Sequence, residues 1–263
     1  MQPLNITIIQ TDLHWENKNA NLRMLGEKIR NISQHTELVV LPEMFSTGFS
    51  MKTNELAETM AGETIEWMKR IAAEKKIILT GSLIIKEGEK YFNRLIWMLP
   101  NGEFGSYDKR HLFGFGKEDE HYSAGSKRLI AQVKGWKINL QVCYDLRFPV
   151  WARQKPAGDE AEFDLLMYVA NWPERRSHAW KTLLTARAIE NQCYVVGVNR
   201  VGRDGNDIYH SGNSMIIDPL GEVLYHKANE EDIYTITLDK EHLQTIRKQF
   251  PFLKDADGFV INA

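Results

Sequence analysis

The sequence predicts an α/β layered sandwich with mixed sheets. Short β-branched strand segments alternate with longer stretches at helical spacing, and several consecutive strand pairs read as hairpins. A purely doubly wound parallel sheet would show fewer hairpins. Residues 4–10 (Leu-Asn-Ile-Thr-Ile-Ile-Gln) alternate in part and read as a strand. Leu22, Leu25, Ile29 and Ile32 make a helical stripe over 17–32, and 38–41 is a short apolar run typical of a strand covered on both faces. A second helix spans 62–75, with Ile65, Met68, Ile71 and Ala72 on one face. Strands follow at 77–85 and 91–99 around a Glu-Gly turn, then at 104–108. Segments 130–133 and 136–142 flank a Lys134-Gly135 turn, a hairpin signal. The chain is expected to turn at Cys143 and then form a helix reaching about Arg153, followed by a loop over 155–160. The remainder reads as a strand at 163–170, a helix at 177–191, strands at 194–199, 213–218, 222–226 and 233–238, and a short helix at 240–248.

The 263 residues contain no Pro/Gly/Ser-rich linker, so one domain over 1–263 is expected. The net charge is -2 and the basic residues are scattered, which argues against nucleic acid or an acidic membrane surface as a partner. No apolar window approaches a membrane span, and the N-terminus shows no signal peptide. Two cysteines, Cys143 and Cys193, are too few for a secreted disulfide scaffold, so a reducing cytoplasm is the expected location.

Cys143 closes a strand and opens the next turn, where free backbone N–H groups should lower a thiol pKa and suit a nucleophile. Leu41-Pro42-Glu43 and Tyr107-Asp108-Lys109 likewise place a carboxylate and an ammonium just after strands. Hydrolysis of an amide needs a nucleophile, a group to carry a proton to the departing amine, and a site for the oxyanion. Cys143, Glu43 and Lys109 supply these in turn, aided by the backbone N–H of Tyr144. Each residue alone has a plainer reading: a core cysteine, a solvated turn glutamate, a surface lysine. The pattern gains weight from its flanks.

Those flanks are Ile6-Thr7-Ile8-Ile9-Gln10, Val39-Val40-Leu41-Pro42-Glu43-Met44, the run from Tyr107 to Phe113, and the run from Val142 to Pro149. Further on come Ala170-Asn171-Trp172-Pro173, Ala186-Arg187-Ala188-Ile189-Glu190-Asn191 and Asp218-Pro219-Leu220-Gly221. In this order they resemble the nitrilase, or carbon-nitrogen hydrolase, superfamily over essentially the whole chain. Cys143-Tyr144-Asp145-Leu146-Arg147-Phe148-Pro149, together with Lys109-Arg110-His111-Leu112-Phe113, resembles the omega-amidase branch. The resemblance implies a four-layer α-β-β-α sandwich with two mixed β-sheets, assembled as a homodimer. It implies cofactor-free hydrolysis, through a thioester, of the terminal amide of 2-oxo acid monoamides such as 2-oxoglutaramate and 2-oxosuccinamate. The alternatives are a related amidase or N-carbamoyl amidohydrolase, or a catalytically idle scaffold. The family also carries a second glutamate after the lysine motif; Glu118 best fits the spacing to Gly125, with Glu120 the alternative.

A small-molecule substrate of this kind needs a cation for its distal carboxylate, and arginine binds it bidentately. Arg147, Arg175 and Arg176 are the candidates, although Arg147 has an equal claim to pairing with a nearby acid. Tyr144, Phe113, Trp172 and Asn171 are further substrate-binding candidates, and Phe45 is a possible pocket wall. Eight histidines show no paired metal spacing, so no metal site is expected. His111 is expected to support its loop, Cys193 to be inert, and Gly114-Phe115-Gly116-Lys117 lacks the spacing of a phosphate loop.

Overall fold

The computed structural model describes residues 2–154 and 161–261, so the loop expected over 155–160 lies outside the described residues. The strands are β1 (Leu4–Gln10), β2 (Leu38–Val40), β3 (Ile78–Glu87), β4 (Lys90–Met98), β5 (Phe104–Asp108), β6 (Leu129–Val133) and β7 (Trp136–Val142). They continue as β8 (Leu165–Ala170), β9 (Tyr194–Asn199), β10 (Val201–Arg203), β11 (Tyr209–Ile217), β12 (Val223–Ala228) and β13 (Asp232–Leu238). The helices are α1 (Lys18–Arg30), α2 (Thr53–Leu56), α3 (Glu63–Lys75), α4 (Glu118–His121), α5 (Pro149–Ala152), α6 (Ser177–Asn191) and α7 (Lys240–Gln249).

Two mixed sheets result. One runs β13-β1-β2-β3-β4-β5, the other β10-β11-β9-β8-β7-β6 with β12 paired to β11. Each has a parallel trio at its centre, β1-β2-β3 and β7-β8-β9, and antiparallel strands outside. Period-2 alternation divides each strand between two cores. In β2, Leu38 and Val40 join the core that includes β7 and β8, while Val39 faces the core formed with α1 and α3. In β1, Ile6 and Ile8 face the former and Ile9 the latter. β1 touches β9 and β4 touches β7, so the sheets pack face to face. Outside the first sheet lie Leu25 and Ile29 of α1 and Ile65, Met68 and Ile71 of α3; outside the second lie Trp180, Leu184 and Ala188 of α6. This is the expected α-β-β-α sandwich. Each leucine, isoleucine and methionine among these contributes ~1.5–3 kcal/mol by leaving water.

Two local expectations are corrected. The helix expected after the Cys143 turn and reaching about Arg153 is not continuous. A 3-10 turn over Cys143–Arg147 is followed by the single turn α5. Pro149 explains the break: its ring forces Phe148 out of the helical region, to φ -113 and ψ 88. The strand expected at 213–218 starts four residues earlier, at Tyr209, because it pairs with the three-residue β10, which sequence periodicity does not reveal. The hairpin turns stand as expected. β3 and β4 close on Gly88-Glu89, with Gly88 at φ +61, and Lys134-Gly135 turns between β6 and β7.

Candidate active site

Glu43, Lys109 and Cys143 follow β2, β5 and β7, and Asn171 follows β8. Three of these four strands belong to the parallel trios, so their C-terminal ends open toward one crevice. Cys143 sits at φ +45, a conformation uncommon outside glycine. Such strain persists where surrounding structure holds it, and here it turns the chain sharply from β7 into the 3-10 turn.

Glu43, Lys109 and Glu118 are completely buried together. Lys109 Nζ donates to Glu43 Oε1 at 2.9 Å and to Glu118 Oε1 and Oε2 at 3.0 and 2.8 Å. Asn93 Nδ2 donates to Glu43 Oε1 at 2.8 Å and to Glu118 Oε1 at 3.2 Å. The remaining carboxylate oxygens are held by main-chain donors, Glu43 Oε2 by Asn171 N at 2.8 Å and Glu118 Oε2 by Phe113 N at 2.7 Å. Glu118 is therefore the glutamate that meets Lys109. Glu120 points outward on α4 and faces Lys117 at 3.9 Å. Burial alone would lower the Lys109 pKa, but Glu118 and Glu43 outweigh it and hold the ammonium well above its ordinary value. Burial raises Glu118 despite the attraction of Lys109.

The expected low thiol pKa is not found. Burial first, then the charge of Glu43, push Cys143 well above the ordinary thiol value, and Lys109 opposes them only in part. The turn that follows is only five residues long, and two carboxylates share the site. The resting sulfur is thus a protonated thiol in the field of the Glu43 carboxylate. Glu43 Oε1 already accepts from two donors and Oε2 from one, so Oε2 keeps capacity to accept a further proton. All three Lys109 protons are engaged by carboxylates, so its charge, more than a free N–H, is what it offers the pocket.

Cys143 borders a cavity of about 400 Å3, also lined by Lys109, Phe113, Tyr144, Asn171 and Trp172. Arg147, Arg175 and Arg176 line the same cavity. The Arg147 guanidinium lies over the Trp172 ring at 5.0 Å and that of Arg176 over Phe113 at 4.9 Å. Arg147 pairs with no acid among the described residues, so of its two expected roles the pairing is not realised. Burial, then the neighbouring charge of Arg175, lowers the Arg176 pKa. Asn171 supports the site more directly than expected: its side-chain amide also donates to the Glu43 carbonyl at 2.5 Å. Phe45 is not a pocket wall. It is buried in the core against α1 and α3, with its ring 5.8 Å from Trp67. Phe49, which the sequence reading missed, lines the cavity, and its ring lies 5.2 Å from Lys109 Nζ. Cys193 is buried, with its thiol pushed up to about 12, in keeping with an inert role. Among the described residues no group of His, Cys, Asp and Glu side chains could hold a metal ion, and no helix is long and apolar enough to cross a membrane.

A four-layer sandwich with a cysteine, a lysine and two glutamates converging at strand ends defines a class of hydrolases that act on carbon–nitrogen bonds. The chain belongs to the carbon-nitrogen hydrolase family, whose model matches residues 5–248. It is 42% identical, over 99% of its length and 100% of the relative's, to the omega-amidase YafV of Yersinia enterocolitica. It is 32% identical to the 2-oxoglutaramate amidase of Bacillus subtilis, over 95% of this chain and 96% of that protein. Its fold matches that of XC1258 from Xanthomonas campestris, a superfamily member solved with an arsenic adduct in its active site, at a TM-score of 0.97 and 43% identity with full coverage of both chains.

Proposed function

We propose that the chain is an omega-amidase, hydrolysing the terminal amide of 2-oxo dicarboxylic acid monoamides such as 2-oxoglutaramate and 2-oxosuccinamate. One observation carries the reading: the Cys143 thiol, within the electrostatic reach of a buried Glu43–Lys109–Glu118 cluster, borders a cavity that also holds three arginines without acidic partners among the described residues. In the mechanism, Glu43 takes the thiol proton as sulfur attacks the amide carbon. The Lys109 charge and the Tyr144 N–H stabilise the oxyanion. Collapse of the tetrahedral intermediate breaks the C–N bond, and Glu43 returns the proton to the departing nitrogen as ammonia. Water, deprotonated by Glu43, then attacks the thioester, and the sulfur leaves as the reprotonated thiol. Glu118 keeps Lys109 in place.

The distal carboxylate docks on the arginines, with Arg147 foremost because it projects from the Cys143 turn. Arg147→Met should raise KM for 2-oxoglutaramate ~10–100-fold, the worth of a charged hydrogen bond, with a smaller effect on kcat. An unchanged KM in steady-state assays would move this role to Arg175 or Arg176. The three arginines should disfavour glutamine, whose α-ammonium would stand beside them next to the bound carboxylate.

All 263 residues act as one domain without a cofactor, in the cytoplasm. A homodimer is part of the reading. It is supported by Ile189 on α6 and Leu220 in the adjoining turn, which leave large apolar side chains 52% and 48% exposed. A single-chain mass in solution would sink that part. The activity itself is tested by ammonia release from a panel of amides, nitriles and N-carbamoyl compounds. We expect 2-oxoglutaramate to be turned over fastest and the folded Cys143→Ala variant to be inactive. Preference for an N-carbamoyl compound, or activity in Cys143→Ala, would overturn it.

A further inference from the structure

Asp145 is buried completely, two residues beyond Cys143, and the proposed mechanism gives it no task. Its carboxylate gathers donors from both sides of the site. From the strand that delivers the cysteine, Val142 N donates to Oδ2 at 3.0 Å. From the segment that delivers the lysine, the Tyr107 hydroxyl donates to Oδ2 at 2.7 Å and His111 N to Oδ1 at 2.9 Å, with His111 Nδ1 2.8 Å from Oδ1. Tyr107 and His111 stand two residues before and two after Lys109. Asp145 thus grips both flanks of the lysine and the residue before the cysteine. Tyr107 extends the network, its oxygen accepting from Trp151 Nε1 at 2.9 Å and Arg110 N at 3.2 Å. His111 stacks on Phe148 with ring centroids 3.9 Å apart, which fixes the imidazole from its open side.

We infer that Asp145 is a positioning residue that sets the distance between Lys109 and Cys143, without itself touching substrate. The inference rests on the proposed roles of those two residues. The geometry shows why a carboxylate is needed. Four donors converge on it, and an ionised carboxylate accepts at both oxygens, whereas an amide would set its own N–H₂ against at least one of them. The left-handed Cys143 is held by bonds on either side of it, from Val142 N to the Asp145 side chain and from Phe148 N to the Asp145 carbonyl at 3.0 Å. Loosening this clamp lets the two loops drift apart, and misplacement of reacting groups by about 1 Å can cost ~100-fold in rate.

The test compares wild type, Asp145→Asn, Tyr107→Phe and Cys143→Ala by kcat, KM and thermal midpoint with 2-oxoglutaramate. For Asp145→Asn we expect kcat to fall at least ~10-fold with a smaller change in KM, because Arg175 and Arg176 lie on a turn that the clamp does not hold. Tyr107→Phe, which keeps the charge and removes one donor, should show the same split with a smaller fall. A purely structural role would lower the midpoint and leave kcat per folded enzyme unchanged; that result, or a folded Asp145→Asn with kcat within twofold of wild type, overturns the inference. If Asp145→Asn does not fold, Tyr107→Phe decides, and an unaltered kcat refutes the clamp. Activity in Cys143→Ala would instead refute the underlying mechanism, so the two failures are distinguishable.

Discussion

Glu43→Gln should lower kcat ~10²–10⁴-fold, the usual worth of a general base, and leave the protein folded. Glutamine matches the shape of the carboxylate and keeps one oxygen for the bonds that Glu43 Oε1 now accepts from Lys109 and Asn93. Its amide nitrogen then faces the Asn171 N–H, a donor against a donor, so a modest loss of stability accompanies the kinetic effect. The larger loss is chemical. The Cys143 thiol is held protonated by burial and by its carboxylate neighbours, so it has no standing thiolate population on which to rely. Without an acceptor for its proton the sulfur cannot attack, and without a donor the amide nitrogen cannot leave. Ammonia release measures kcat, and intact-protein mass spectrometry reads any thioester. Turnover within about threefold of wild type would remove Glu43 from the mechanism.

The same protonation state changes how an idle scaffold would be recognised. A slow, ordinary alkylation of Cys143 would have favoured a non-catalytic member if catalysis required a low thiol pKa. With burial and the Glu43 charge holding the thiol protonated, slow alkylation is expected of the active enzyme as well. Turnover, not thiol reactivity, separates the two.

What the sequence disclosed was what local chemistry controls. β-branched and alternating apolar residues located β1, β7 and β9 to within a residue or two, and the catalytic candidates followed from their places just after strands. The helical stripe of Trp180, Leu183, Leu184 and Ala188 located α6, because burial on one face leaves a 3.6-residue trace; Leu183 is only partly buried at its edge. The residues that hold the candidates in place left weaker traces. Asn93 lies inside β4, and its partners Glu43 and Glu118 are 50 and 25 positions away. Its one signal is that asparagine is depleted in strand interiors, so an Asn there has a side-chain reason to stay. Asp145 sat in plain view beside Cys143, yet its role depends on Tyr107 and His111, brought close only by packing β5 against the second sheet's loops. Glu118 and Glu120 were left open because both lie on the single turn α4; the direction of that turn, set by Phe113 N and Lys109, buries one and exposes the other. The thiol pKa was misread because the strand-end position was visible and the two carboxylates beneath it were not.

Lys109→Met should abolish activity and also destabilise the fold by ~3–5 kcal/mol, the cost of leaving buried charges without their partner. Two carboxylates share one ammonium, and all three groups are fully buried. Methionine restores much of the lost volume but none of the charge. In the variant, Glu43 and Glu118 repel each other in a dry site, so the folded-state pKa of Glu118 rises further above that of the unfolded chain. Glu118 is already raised in the intact protein, by burial and by the charge of Glu43. The sign of the pH effect follows. A carboxyl whose folded pKa is raised adds stability that is fully present below its unfolded pKa and is lost as pH rises through the folded value. The stability gap between wild type and Lys109→Met should therefore be narrow near pH 4.5 and widen toward pH 8. Urea unfolding across that range measures it. Adding Glu118→Gln to Lys109→Met should restore part of the stability at pH 8, because one fewer charge is trapped, yet leave the enzyme inactive, because the oxyanion still lacks its cation. A Lys109→Met variant as stable as wild type at pH 8 would mean that the buried cluster is neutral, and the electrostatic account of the site would fail with it.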